Sequence, residues 1–176
     1  MTRLLVIRHG ETDWNAQRRV QGHTDIALND TGKRQASLLA QTLADSPHHV
    51  IAALRERRFG SIEGQVFADF EQQHPEAAFH WRMRTPHWQP PGDGESLLAL
   101  RERVERAVHG IATRHPGQQV AIVSHGGVLD VLYRAATRQE LQAARTWALP
   151  HCAINRLLWT PDGLTLIGWG DVSHLD

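Results

Sequence analysis

Two histidines stand in matching places in this chain. Arg8-His9-Gly10 follows the apolar run Leu4-Leu5-Val6-Ile7, and Ser124-His125-Gly126-Gly127 follows Val120-Ala121-Ile122-Val123. An imidazole is a good nucleophile toward phosphorus. The phosphohistidine it forms is labile to water, so one difficult transfer is divided into two easier ones. The transferring oxygens then need cationic and neutral donors. Arg8 offers a planar fork that suits a phosphate dianion. Gly10 and Gly126 let the backbone turn sharply and come close to a ligand. A departing alkoxide needs a proton from a general acid, and the acidic candidates near the motifs are Glu11 and Glu56. A carboxylate that faces a dianion has its pKa raised, because like charge disfavours the ionised form. The competing use of these imidazoles is a metal site built from His9, His125 and His151. No ligand pair stands at helical i, i+4 spacing in a recognisable metal motif, so neither a metal nor a cofactor is expected.

The elements that must position these residues follow from the hydrophobic pattern. Both apolar runs are continuous rather than alternating, as in strands buried on both faces of a parallel sheet. Ligands of open α/β sheets bind outside the carboxyl ends of the strands. If the two strands are neighbours, His9 and His125 meet at that edge. A polar loop spans 8–30. Ala36, Leu39, Ala40 and Leu43 then fall at helical spacing, with Asn29 or Asp30 as N-cap and Pro47 as terminator. Val50-Ile51 reads equally as strand or loop. Residues 65–74 read as a helix stopped by Pro75, and 75–94 as an irregular excursion rich in Pro, Trp and His. Leu97, Leu100, Val104, Val108 and Ile111 line one face of a longer helix closed by Pro116-Gly117. Residues 128–136 form the next helix. Ile154, Leu158 and Leu164-Thr165-Leu166-Ile167 suggest two closing strands joined by a turn at Pro161-Asp162-Gly163. Alternating strands and helices imply a mostly parallel central sheet with helices on both faces.

The chain has 176 residues, which suits a single domain over 1–176. Lys plus Arg and Asp plus Glu each number 19. That balance argues against nucleic-acid or membrane-surface binding driven by bulk charge. Cys152 is the only cysteine, which excludes an internal disulfide and a Cys-rich zinc module. No stretch approaches a membrane span and no leader is evident, so a soluble, cytoplasmic protein is expected. The oligomeric state is left open.

The order and spacing of the motifs resemble the histidine phosphatase family, which includes the cofactor-dependent phosphoglycerate mutases. The resemblance begins at Arg8-His9-Gly10-Glu11-Thr12 and runs through Trp14-Asn15, Gln21-Gly22, Asp25, Leu28-Asn29, Gly32 and Gln35-Ala36. Leu54-Arg55-Glu56-Arg57, Phe59-Gly60 and Glu63-Gly64 resemble the family's acid-bearing segment. Gly94-Glu95-Ser96 resembles the start of its long helix, and Ser124-His125-Gly126-Gly127 its second histidine motif. The resemblance implies an α/β three-layer sandwich of the phosphoglycerate mutase-like kind. It implies His9 as the phosphorylated nucleophile, Arg8 and His125 as donors to the phosphoryl group, and Glu56 as proton donor. Gly10, Glu11, Thr12, Asn15, Gln21, Gly22 and Gly126 are the implied substrate-binding positions. The implied partner is a small phosphorylated substrate.

The chain departs from that pattern in one place. Relatives carry a further strand ending in Ser-Ser, then a helix that starts with Arg-Ala and supplies a second phosphate arginine. Here Pro47 is followed almost at once by Val50 and Leu54, so the segment is absent. The expectation is a sheet one strand short and a pocket one cation short, with Arg55, Arg57, Arg58, Arg82 or Arg84 as possible substitutes. The implied activity is phosphomonoester hydrolysis of the histidine acid phosphatase type. The alternatives are 2,3-bisphosphoglycerate-dependent mutase activity, usual in longer relatives, and a catalytically weakened binding relative. Residues 75–94 are expected to shape the substrate side.

Overall fold

The computed structural model describes residues 1–44 and 54–176. Pro47 and Val50-Ile51, and with them the readings placed on them, lie outside the described residues.

Strand β1 (Thr2–Arg8) takes a central place because its side chains are apolar on both faces. It lies between β2 (Gln119–Ser124) and β3 (Ile154–Thr160), and β4 (Gly163–Asp171) completes the order β2-β1-β3-β4. The β1–β2 pair is parallel, with Leu4 opposite Val120 and Arg8 opposite Ser124. The β1–β3 and β3–β4 pairs are antiparallel. The sheet is therefore mixed, which corrects the expectation of a mostly parallel one. The reason is local: Thr160 pairs with Gly163 across the two residues Pro161 and Asp162. So short a connection joins only antiparallel strands, whereas a parallel pair needs a long crossover.

Successive side chains of a strand point to opposite faces, and here each face has its own core. Leu4, Val6, Val120 and Ile122 are buried with Leu100, Val104, Val108 and Ile111 of α5 (Leu97–Arg114), and with Val128, Leu129 and Leu132 of α6 (Gly126–Thr137). Leu5, Ile7 and Ala121 are buried on the other face against Leu39 and Leu43. Leu39 belongs to α2 (Asp30–Thr42), capped by Asn29, whose side chain accepts from the Gly32 N–H. These are the three layers that the resemblance implies. The five apolar positions read from the sequence on α5 are all buried.

The segment 75–94 is more ordered than expected. Helix α3 (Phe67–Gln73) ends before Pro75, and α4 (Pro75–Arg82) begins on that proline. Proline lacks only an N–H that the first helical position leaves unpaired anyway, so it starts a helix as readily as it stops one. Phe70, Ala78, Ile62 and Val20 form a small separate core, with Trp81 packed against it. A bridge between Arg19 and Val66 ties this unit to the loop after β1. That loop contains the short helix α1 (Asp13–Ala16), closed by reciprocal bonds between Thr12 and Asn15.

Candidate active site

The parallel register carries past the strand ends. The His9 N–H donates to the Ser124 carbonyl (2.9 Å), so His9 and His125 leave neighbouring strands side by side, their ring centroids 5.0 Å apart. On the other flank, the Cys152 N–H donates to the Arg8 carbonyl (2.9 Å) and brings His151 beside His9, with centroids 5.5 Å apart. From the sequence alone His151 stands out only as part of a competing metal site with His9 and His125. Its signal was its place just before β3, the antiparallel neighbour of β1. Among the described residues, no group of three or more His, Cys, Asp or Glu side chains is arranged to hold a metal ion.

The tautomer of His9 follows from its partner. Nδ1 lies 2.7 Å from the Gly10 carbonyl, which only accepts, so Nδ1 carries the proton and Nε2 keeps its lone pair. Burial, with Arg8 and His151 nearby, pushes the His9 pKa down to about 4 despite that bond. Burial and the facing His9 and Arg8 likewise push His125 down to about 4. Both rings are neutral at pH 7.

Glu56 is buried among donors. Its Oε1 accepts the Arg57 N–H (2.7 Å) and its Oε2 the Gly127 N–H (2.8 Å) at the start of α6. Burial raises its pKa, although these two bonds and the charges of Arg8 and Arg57 oppose the rise. Arg8 donates from Nη1 to the Leu149 carbonyl (2.6 Å), while its buried Nε has no partner among the described residues. Gly126 lies between them: a Cβ there would stand 3.7 Å from Arg8 Nε and 3.9 Å from Glu56 Oε2. A buried cationic donor left without a partner marks a place for an anionic or oxygen-rich group.

Arg8, His9, Asn15, Gln21, Glu56, His125 and Gly126 line one cavity of about 490 Å³, with Arg18, Phe59, Trp81 and His151. Thr12 and Gly22 line an adjoining cavity that shares His9, Gln21 and His125. Thr12 is buried and its hydroxyl bonds Gln21 Oε1 (2.7 Å), so it orients Gln21. Two expected substrate positions, Gly10 and Glu11, line neither cavity, although the Gly10 carbonyl bonds His9. Gly10 faces Gly32, whose carbonyl oxygen would be 2.4 Å from a Cβ, so close packing on α2 explains the glycine. Glu11 accepts from Asn29 Nδ2 (2.9 Å) and lines neither cavity. Trp81 reaches the cavity, whereas Trp88 stacks on His80.

The arginines weighed as substitutes separate clearly. Arg57 donates to the carbonyls of Glu95 and Trp88, Arg58 pairs with Asp93, Arg82 with Glu71 and Arg84 with Asp130. Arg55 is exposed and lines the adjoining cavity beside His9 and His125.

The chain matches the profile of the histidine phosphatase superfamily (branch 1) in two pieces, residues 4–53 and 44–172. It is 33% identical over 202 residues to phosphoglycerate mutase-like protein 4 of Arabidopsis thaliana, covering 98% of this chain and 86% of that protein. It is 30% identical over 203 residues to a metal-independent phosphoserine phosphatase of the same plant, covering 99% and 84%. Among solved structures, Bacillus stearothermophilus YhfR superposes with a TM-score of 0.90 at 27% identity, covering all of both chains. The alignment of 202 residues is longer than this chain of 176, so the plant relative carries residues that this chain lacks. The two pieces of the family match meet at 44–53, where the sequence pattern is interrupted. The chain is a member of branch 1 of the histidine phosphatase superfamily.

Proposed function

We propose that this protein hydrolyses a small phosphomonoester through a phosphohistidine on His9, with Glu56 as proton donor. The observation that carries the reading is the state of His9. Its Nδ1–H is committed to the Gly10 carbonyl and its Nε2 lone pair is free in a cavity shared with Arg8, His125 and Glu56. Nε2 attacks phosphorus and the ester oxygen departs with the proton of Glu56. A burial-raised pKa favours the protonated acid at neutral pH. Arg8 Nε and the His125 ring stand ready to hold the phosphoryl oxygens, and Asn15 and Gln21 to hold substrate. Water then takes the phosphoryl group from His9, and Glu56 recovers its proton.

Rapid quenching during turnover should trap an acid-labile, base-stable phosphoenzyme. Full turnover in His9→Ala would refute the assignment. The mutase-like name of one plant relative supports a second reading, isomerisation of a phosphorylated acid. Primer-dependent isomerisation that outpaces hydrolysis would favour that reading instead.

A further inference from the structure

The third imidazole of the cavity has no part in the reaction so far. His151 is held by one nitrogen: Nδ1 lies 3.0 Å from the His9 carbonyl. A carbonyl only accepts, so Nδ1 carries a proton in every protonation state of the ring. The ring lines the cavity with Arg8, His9 and His125, and its Nε2 bonds no group among the described residues. In the neutral ring that Nε2 is a bare lone pair, which repels a phosphoryl oxygen. In the charged ring it is a strong donor.

The groups around His151 decide which form prevails. Burial and Arg8 on β1 hold its pKa low, while the His9 carbonyl and Glu11 oppose them. His125 at the start of α6 is neutral, and Glu56 and Arg18 face the same cavity. Burial is the larger cause, and Arg8 is the charge that adds to it. A phosphate dianion beside Arg8 reverses the sign of the local field. Of the three imidazoles, His151 is the one influenced by a carboxylate, Glu11.

We infer that His151 takes up a proton from solvent as a phosphoryl dianion enters, and donates from Nε2 to one of its oxygens. The cavity thus gains a further cationic donor, beside Arg8 and Arg18, only when an anion is present. This rests on the phosphoryl-transfer reading above, and adds to it a proton-linked donor.

Sulfate tests the inference, since it remains a dianion through the neutral range and any pH dependence of its affinity belongs to the protein. Titration calorimetry near pH 7 in buffers of different ionisation enthalpy counts the protons taken up. Wild type should take up about one proton more than His151→Asn, and its affinity should weaken by up to about tenfold more per pH unit. The Asn amide keeps a donor where Nδ1 stood but removes the tip of the ring. The Gln amide reaches the position of Nε2 without titrating. His151→Gln should therefore bind sulfate better than His151→Asn at pH 8, with no added proton. If His151 only anchors the His9 carbonyl, Asn will match wild type and Gln will be the defective variant. Equal proton uptake in wild type and His151→Asn would overturn the inference and leave the phosphatase reading standing. A wild-type protein that binds no sulfate would overturn both.

Discussion

Gly127 and Glu56 fit together with no room for a side chain: a Cβ on Gly127 would lie 2.2 Å from Glu56 Oε1 and 3.1 Å from its Cδ. The second glycine of Ser124-His125-Gly126-Gly127 thus makes space for the acid and offers it an N–H. Gly127→Ala should displace the carboxyl group. General-acid catalysis is worth roughly 10²–10⁴-fold, so alkyl phosphates should slow by about 100-fold or more. Aryl phosphates, whose leaving groups need little protonation, should slow far less. Glu56→Gln should show the same pattern. Steady-state rates on a leaving-group series decide it, and equal loss across the series would remove Glu56 as the acid.

Stability should fall as the solution is acidified. His9 and His125 have folded pKa values of about 4 against an ordinary value of 6.5. Between those values the unfolded chain binds more protons. Their contribution is therefore complete above pH 6.5 and is lost as pH falls toward 4. With an allowance for partial exposure, each ring accounts for about 2 kcal/mol. Glu56 acts in the opposite sense, because its raised pKa favours folding at low pH and the gain is lost as pH rises. Urea titrations from pH 4 to 7 should show a shallower slope in His125→Asn than in wild type. An unchanged slope would mean that His125 is not buried in its neutral form.

Chelation should leave activity intact, since every step assigned above uses side chains and water. Phosphatase assays after dialysis against EDTA provide the check. Activity lost in EDTA and recovered with zinc or magnesium would contradict the mechanism.

The interrupted segment should have two separable costs. Val123 on β2 is 40% exposed, and an apolar hollow of about 270 Å³ lies between it, Ala121, Cys152 and the side chains of Leu39, Ala40 and Leu43. Exchanging residues 45–53 for the longer segment of a relative should raise the melting temperature by several degrees, as expected for roughly 1–2 kcal/mol in a chain of this size. It should also tighten vanadate binding. Changing the grafted arginine alone to Ala should keep the first gain and lose the second. Tight vanadate binding by the unaltered protein would show that its own residues already complete the pocket.

Local pattern was enough for the parts of this protein that depend on neighbours in sequence. The apolar runs at β1 and β2, the one-sided stripe on α5 and the Asn29 cap are properties of spacing, and the structure has each of them. The order of the Arg-His-Gly, Glu and Ser-His-Gly-Gly motifs was likewise enough to point to the family. Reading Pro75 as a stop held for α3, but reading 75–94 as irregular failed because the same proline also starts α4. That Glu11 points toward Asn29 was not legible, because adjacency to a motif does not say where a side chain points.

Tertiary structure decided what depends on residues far apart in the chain. Sheet pairing sets His125 and His151 on the two flanks of His9, though they stand 116 and 142 positions beyond it. Burial gives Glu56 its raised pKa, and close approach of the Gly32 backbone, the Glu63 carboxylate and the Glu56 carboxylate explains why Gly10, Gly22 and Gly127, respectively, carry no side chain. Periodicity reports which face of an element is buried, because burial repeats along the element. It carries nothing about which elements meet, because a contact across the sheet depends on two distant segments at once. The nucleophile was legible from its own motif, whereas the protonation states of the imidazoles around it arise only from that convergence.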